Sequence, residues 1–308
     1  YLLTQSDTKV LVMMGGFKDS NYVDIVNELI PELKDAKDGV VSHPALPFLE
    51  RIIFADGQTP KGMMGFDKLM KLGEQVDDSV LKEREAELDC HDVINMQYTS
   101  GTTGFPKGVM LTHYNIINNG KTIGDGMAFT NDDKLCIVVP FFHCFGLVLA
   151  TMASITHGTT MVPVEAYSPV PVMNAISTAK CTAVHGVPTM FIAMLEHPDF
   201  DKFDFSSLRT GIMAGSPCPI EVMKKVVDKM NMSDIVIVFG QTEASPGCTM
   251  TTTTDSLEKR VATVGRAFPG VECRIVDPET NQEVPVGTPG EFLARGYNIM
   301  KGYYKMPE

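Results

Sequence analysis

Apolar residues alternate along the chain between short continuous runs and helical repeats. Val10 to Met14 is an apolar run closed by Gly15-Gly16 and reads as a buried strand. Ile25, Val26, Leu29, Ile30 and Leu33 recur at helical spacing and predict a helix packed back on a sheet. Pro44 to Pro47 reads as loop, and Arg51 to Ala55 as a strand stopped by Asp56-Gly57. Phe66, Leu69, Met70 and Gly73 predict another helix, and the charge run Lys82 to Glu87 the solvated face of the next one. Cys90 to Tyr98 gives a further strand, alternating apolar and polar from Ile94 on.

The same rhythm continues. Val109 to Leu111 is a brief strand, and Thr112 is suited to cap a helix from about His113 to Asp125. Strands follow at Leu135–Pro140, Thr159–Pro163, Ala183–His185, Leu208–Ala214 and Ile235–Phe239. Helices follow at Gly146–Thr156, Val172–Lys180, Pro188–Glu196 and Ile220–Met230. Strand and helix alternating at this spacing mean βαβ units and a mainly parallel sheet. Past about Val264 the pattern changes: Val271–Asp277 and Gly290–Arg295 read as strands with Pro/Gly turns and no helix between them. Leu135 to Ile155 is nearly free of charge, but Pro140, His143 and Gly146 interrupt it. A buried strand, a turn and a buried helix fit it better than a membrane span.

Composition narrows the field of partners. A chain of 308 residues, 44% hydrophobic and 21% charged, can bury a large core. The formal charge of −12, from 26 basic and 38 acidic residues, and the lack of a basic stripe exclude nucleic acid as a main partner. Seven scattered cysteines without Cys-x-x-Cys spacing read as thiols of a reducing compartment, here the cytoplasm. Twenty methionines suit an adaptable apolar interior. The chain starts at Tyr1 and stops at Glu308 in mid-pattern, as expected of part of a longer protein.

The chemistry concentrates in Tyr98-Thr99-Ser100-Gly101-Thr102-Thr103-Gly104-Phe105-Pro106-Lys107-Gly108. Four Ser/Thr hydroxyls, three glycines and one lysine within eleven residues suit an anionic, oxygen-rich ligand such as a polyphosphate. The competing reading is a flexible surface loop. The spacing is not that of a Walker A loop, because two residues separate Gly101 from Gly104 and Gly108 follows Lys107. It resembles the signature of the adenylate-forming superfamily: acyl-CoA synthetases, luciferases and peptide-synthetase adenylation domains.

The rest of the chain carries further parts of that resemblance, which implies a role for each. Phe239-Gly240-Gln241-Thr242-Glu243 resembles the motif that stacks adenine near Phe239, contacts phosphate through Thr242 and holds Mg²⁺ with Glu243. The family usually has Tyr where Phe239 stands. Taken alone, Glu243 reads better as an exposed carboxylate after a strand; beside the Thr99 to Lys107 loop it reads as the metal ligand. Ala214 to Pro219, with Gly215, Ser216 and Pro217, resembles a second adenine-contacting loop and reads also as a rigid βα connector.

His143, in Phe141 to Gly146, stands where CoA ligases of the family have a histidine near the acyl entrance; amino-acid-activating relatives have Asp there. A hydrogen-bonded core histidine is the alternative. His185 to Thr189, with Gly186 and Val187, resembles the lining of the acyl tunnel. Nearby Met190, Phe191, Met194 and Met213 suit an aliphatic acid or are simply core.

The resemblance implies an α/β fold of stacked, mainly parallel βαβ sheets: nucleotide- and acyl-binding subdomains over 1–263 and the start of a β-rich, partly barrel-like subdomain over 264–308. It places a C-terminal lysine-bearing domain beyond this chain, which leaves the chain incomplete for catalysis and with no catalytic residue of its own. The implied activity is that of an AMP-forming fatty acid:CoA ligase using ATP, Mg²⁺ and CoA. An aryl or short-chain acid ligase and a non-catalytic nucleotide- or acyl-binding module are the alternatives.

Overall fold

The computed structural model describes residues 1–99 and 104–307. The chain forms two compact units, Tyr1–Asp89 and Cys90–Glu308. In the first, a parallel sheet of order β1-β2-β3 is built from Val10–Met13, Arg51–Phe54 and Met64–Gly65. Helix α1, Tyr22–Leu29, is capped by the Asn21 side chain and ends where Pro31 opens a 3₁₀ turn. The predicted helical stripe therefore divides. Val26, Ile30 and Leu33 are buried with Ile52 and Phe54, whereas Ile25 and Leu29 are exposed. Helices α2, Phe66–Gly73, and α3, Asp78–Glu87, follow; every residue of α3 is exposed, as its charge run predicts.

The second unit opens with an antiparallel hairpin, β4 (Val93–Thr99) and β5 (Lys107–Thr112). Thr112 then caps α4, His113–Gly126, in a capping box with Asn115. A five-stranded parallel sheet follows, of order β10-β9-β8-β6-β7. Its strands are β6 (Lys134–Ile137), β7 (Thr160–Pro163), β8 (Ala183–Val184), β9 (Thr210–Ile212) and β10 (Asp234–Val236). Leu135, Cys136, Ala183, Ile212 and Val236 are fully or almost fully buried, as expected of a parallel sheet covered on both faces.

Helices α6 (Pro169–Ala179), α7 (Pro188–Leu195) and α8 (Ile220–Met230) are three of the four crossovers. The last shows why such a helix forms: Met223, Val226 and Met230 are buried on one stripe, and Asn231 ends it in the left-handed conformation. Burying each of these side chains stabilises the fold by about 1.5–3 kcal/mol. The charge-free run predicted as strand, turn and helix is β6, a turn, a π-helical stretch Phe145–Met152 and α5, Ala153–His157. Among the described residues no helix is long and apolar enough to cross a membrane.

The predicted strand Ile235–Phe239 is two strands. After β10 the chain turns into β11, Val238–Gly240, which pairs antiparallel with β12, Gly247–Met250, and through it with β13, Arg266–Ala267. The short helix α9, Leu257–Ala262, lies between them and is not visible in the periodicity. The C-terminal stretch forms β14, Val271–Val276, and β15, Glu291–Gly296, paired antiparallel as a two-stranded sheet. Among the described residues this sheet does not close into a barrel.

The parallel sheet has two working ends. At the N-terminal ends of its strands, the Asp133 carboxylate is 4% exposed. It accepts from Arg209 Nε at 3.0 Å and Nη2 at 2.7 Å, from Thr182 Oγ1 at 2.7 Å and from the Thr130 backbone N–H at 2.9 Å. Arg209 donates further to the carbonyls of Met127 and Ala128. This clamp joins the segments leading into β6, β8 and β9. The opposite, C-terminal ends are where open parallel sheets in general bind their ligands.

Candidate active site

Three strand ends and one hairpin converge on a cavity of about 580 Å³. The hairpin contributes Thr99 and Lys107, which face each other across the mouth of β4 and β5. Gly104, beside them in the connection, has φ +112°, a conformation that glycine adopts without strain. Ser100, Gly101, Thr102 and Thr103 lie outside the described residues. The turn after β6 contributes His143, and the π-helical stretch contributes Phe145 and Leu149. The end of β9 contributes Ala214 and Gly215, and β11 with its following turn contributes Gly240, Gln241, Thr242 and Glu243. Residues far apart in sequence thus line one space.

Local geometry explains each placement. Gly240 opposes Gly247 at an irregularity between β11 and β12, and a Cβ there would lie 1.8 Å from the Pro246 carbonyl oxygen. Only glycine lets the strand turn so closely, and Gln241 to Glu243 are aimed by that turn. Thr242–Ala244 then forms one 3₁₀ turn. His143 accepts the Phe145 backbone N–H at Nδ1, 3.1 Å away, which leaves Nε2 as the donor of the neutral ring. Desolvation at the cavity wall holds its pKa below the ordinary histidine value and favours that neutral form. Cys144, beside it, is buried and donates to Gln97 Oε1 at 2.8 Å; burial pushes its thiol up to about 12. It is no nucleophile at neutral pH.

A second cavity of about 1150 Å³ shares Gly215 and Gly240 with the first and is lined by Ser216, Pro217 and Phe239. The Phe239 ring stands perpendicular to that of Phe292, with centroids 5.2 Å apart, and remains 40% exposed. A flat group can stack on such a ring. Gly186 and Val187 stand behind this wall rather than in its lining. Gly186 bridges to Met213, and a Cβ added at Gly215 would lie 3.2 Å from Val187 Cγ1. His185 is fully buried, accepts from the Ile212 N–H at Nδ1 and donates from Nε2 to the Leu149 carbonyl. Burial depresses its pKa to about 4, so it is a neutral core histidine. Phe191, Met194 and Met213 are core as well.

Sequence reasoning missed Tyr303. Its hydroxyl donates to Glu243 Oε1 at 2.6 Å, and Lys107 Nζ lies 4.4 Å from the centroid of its ring. Burial, with the Glu243 charge beside it, pushes the phenol up to about 12, so the hydroxyl keeps its proton. Among the described residues no ion pair joins Lys107 to Glu243. A cavity that presents a cation, a carboxylate, hydroxyls and close-approach glycines can bind a polyphosphate together with a cation. The family model described as AMP-binding enzyme matches residues 1–304.

The chain belongs to the AMP-binding enzyme family.

It is 54% identical over 305 residues to the putative acyl-CoA synthetase YngI of Bacillus subtilis (strain 168), covering 99% of this chain and 56% of that protein. It is 42% identical over 309 residues to the acyl-CoA ligase sidI of Aspergillus fumigatus, covering 100% and 51%. To the mitochondrial medium-chain acyl-CoA ligase ACSF2 of Mus musculus it is 37% identical over 313 residues, covering 100% and 51%. The chain therefore spans about half the length of the curated relatives it matches. Among solved structures, ATP-bound MatB from Rhodopseudomonas palustris is similar over 100% of this chain and 54% of its own, with a TM-score of 0.75 and 26% identity. The anthranilate CoA ligase AuaEII, solved with anthranoyl-AMP, shares the fold at a TM-score of 0.80 and 22% identity, over 99% of this chain and 54% of its own.

Proposed function

We propose that this chain is the nucleotide- and acyl-binding part of an AMP-forming acyl-CoA synthetase, with 264–308 the start of a β-rich subdomain. The observation that carries the reading is the convergence of Thr99, Lys107, Thr242, Glu243 and His143 on one cavity. ATP would place its β- and γ-phosphates against Thr99 and Lys107 and its adenine between Phe239 and the Gly215–Pro217 loop. The donor set suits Mg²⁺: Glu243 and Thr242 offer hard oxygens at one wall of a space roomy enough for water. Bound there, the cation would neutralise phosphate charge.

A fatty acid carboxylate, entering beside His143, attacks the α-phosphate and expels pyrophosphate to give acyl-AMP. The CoA thiol then attacks the acyl carbon, the acyl C–O bond to the phosphate breaks, and AMP leaves while the thiol proton passes to water. The residues named here align the two anions and offset their charge, and little proton transfer is asked of them. Neutral His143, donating from Nε2, can hold the carboxylate without trapping it as an ion pair. A medium-length aliphatic acid fits the apolar wall of Phe145 and Leu149 and the medium-chain activity named for the ACSF2 relative. The free thiols, four of them buried, fit a reducing compartment such as the cytoplasm.

The test is acid-dependent pyrophosphate release by the parent protein with acetate, octanoate, palmitate and benzoate. Release with octanoate or palmitate, followed by acyl-CoA formation when CoA is added, supports the reading. Release with acetate or benzoate alone points to a short-chain or aryl ligase. No release with any acid points to a binding module.

A further inference from the structure

The geometry points to Tyr303 as the positioning residue of this site: its hydroxyl aims the Glu243 carboxylate for a divalent cation, and its ring holds Lys107 apart from that carboxylate. The inference rests on the reading of Glu243 as the cation's carboxylate. Three elements are tied together at this point. Backbone hydrogen bonds join residues 301–304 to β5: Lys301 N–H to the Met110 carbonyl, Met110 N–H to the Gly302 carbonyl, and Tyr304 N–H to the Gly108 carbonyl. The Met300 N–H donates to the Glu243 carbonyl at 2.9 Å. The Asn115 side chain, part of the α4 cap, donates to the carbonyls of Tyr297 and Ile299 and fixes the approach to residues 301–304. The segment thus bridges the strand that carries Lys107 and the turn that carries Glu243, with Tyr303 at the crossing.

The side-chain chemistry suits that position. The Tyr303 hydroxyl engages Glu243 Oε1 alone, and a carboxylate can hold a hard cation through one oxygen. A hydrogen bond to a ligating carboxylate fixes its rotamer, and losing such a partner typically weakens metal binding by about 10–100-fold. The ring does something different for Lys107. A cation over an aromatic face is held without being neutralised, so the ammonium keeps its charge for phosphate. Placed side by side without that ring, lysine and carboxylate would pair with each other instead of with ligand.

The two halves of the role separate by substitution. Tyr303→Phe keeps the ring and removes the hydroxyl; Tyr303→Leu removes both. Calorimetry of ATP binding to the 308-residue chain, with EDTA and with Mg²⁺, reads each half. For Tyr303→Phe, the metal-free affinity should stay within about twofold and the gain on adding Mg²⁺ should fall by about 10-fold or more. For Tyr303→Leu the metal-free affinity should fall too. A merely structural tyrosine would move both affinities together in Tyr303→Phe.

Glu243→Gln tells the two readings apart. If it abolishes the Mg²⁺ gain while Tyr303→Phe leaves it unchanged or larger, the positioning role is overturned and the metal reading stands. If neither variant alters the gain, both fall. A measurement without substitution guards against a misfolded variant: Mn²⁺ added with ATP should broaden the ring resonances of Tyr303 in the tyrosine-labelled chain, and sharp resonances would overturn the assignment.

Discussion

Replacing Arg209 with Met should weaken the fold and spare the ligand site, because the clamp and the cavity lie at opposite ends of the same sheet. Met fills much of the space of the arginine stem and supplies none of its donors. Asp133, 4% exposed, would lose both bonds of the guanidinium and keep those from Thr182 and Thr130. The carbonyls of Met127 and Ala128 would lose their donors too. Breaking a buried pair on one side costs about 3–5 kcal/mol. The Arg209 side chain is 32% exposed, so water offsets part of this and about 3 kcal/mol is expected. For a unit of this size that lowers Tm by roughly 6–12 °C.

The pH dependence gives the sharper check. Burial raises the Asp133 pKa, but the hydrogen bonds from Arg209, Thr182 and Thr130 outweigh it and hold the pKa below the usual value. That contribution is present above the unfolded carboxylate pKa and is lost as pH falls through the folded one. Without Arg209, desolvation dominates and the folded pKa should rise above the unfolded value. Asp133 then costs stability at neutral pH and is relieved by protonation, so the deficit of Arg209→Met should shrink as pH falls from 7 toward 4. Urea unfolding followed by circular dichroism at several pH values measures this, and Asp133→Asn in the same background should recover part of the loss. A deficit independent of pH, or ATP affinity changed more than about threefold well below Tm, would refute the reasoning.

Gly240→Ala should lower ATP affinity by about 10-fold or more by calorimetry, because its Cβ would meet the Pro246 carbonyl and displace Thr242 and Glu243. His185 has its pKa depressed to about 4 by burial, so between about pH 4 and 6.5 the unfolded chain binds more protons and stability should rise with pH. His185→Gln should flatten that slope in urea melts. Exposed Cys90 should react first with a thiol reagent at pH 8, while Cys144, pushed up to about 12, stays unlabelled until unfolding; early labelling of Cys144 by mass spectrometry would contradict its placement.

How much of this was legible in the sequence depended on how local each signal is. Helix α8 matches its periodicity from Ile220 to Met230 because one stripe is buried and Asn231 stops it. The break between β10 and β11 left no mark, because Ile235 to Val238 are all buried on either side of the turn. Helix α9 is six residues long, too short for a period to emerge. Glycine, hydroxyl and lysine chemistry around Thr99 to Lys107 is written in one stretch and could be read there. Tyr303 could not, since its meaning lies in backbone bonds to β5 and a side-chain bond to a turn 60 residues earlier. An aromatic pair after Gly302 was its only local trace. The Met and aromatic stripe near His185 read as either tunnel or core, and in the structure Phe191, Met194 and Met213 are core, because helical spacing alone does not say which side of a wall a side chain occupies.

The central claim is that Lys107 and Glu243 together anchor a nucleotide in the cavity at the sheet's C-terminal end. Calorimetric binding of ATP with Mg²⁺ to this chain and to its Lys107→Ala, Glu243→Ala double variant tests it most directly. Two charged contacts of about 1.5–3 kcal/mol each predict that the variant loses at least a hundredfold in affinity while keeping its fold. Equal binding by both proteins would contradict the account and place the nucleotide elsewhere.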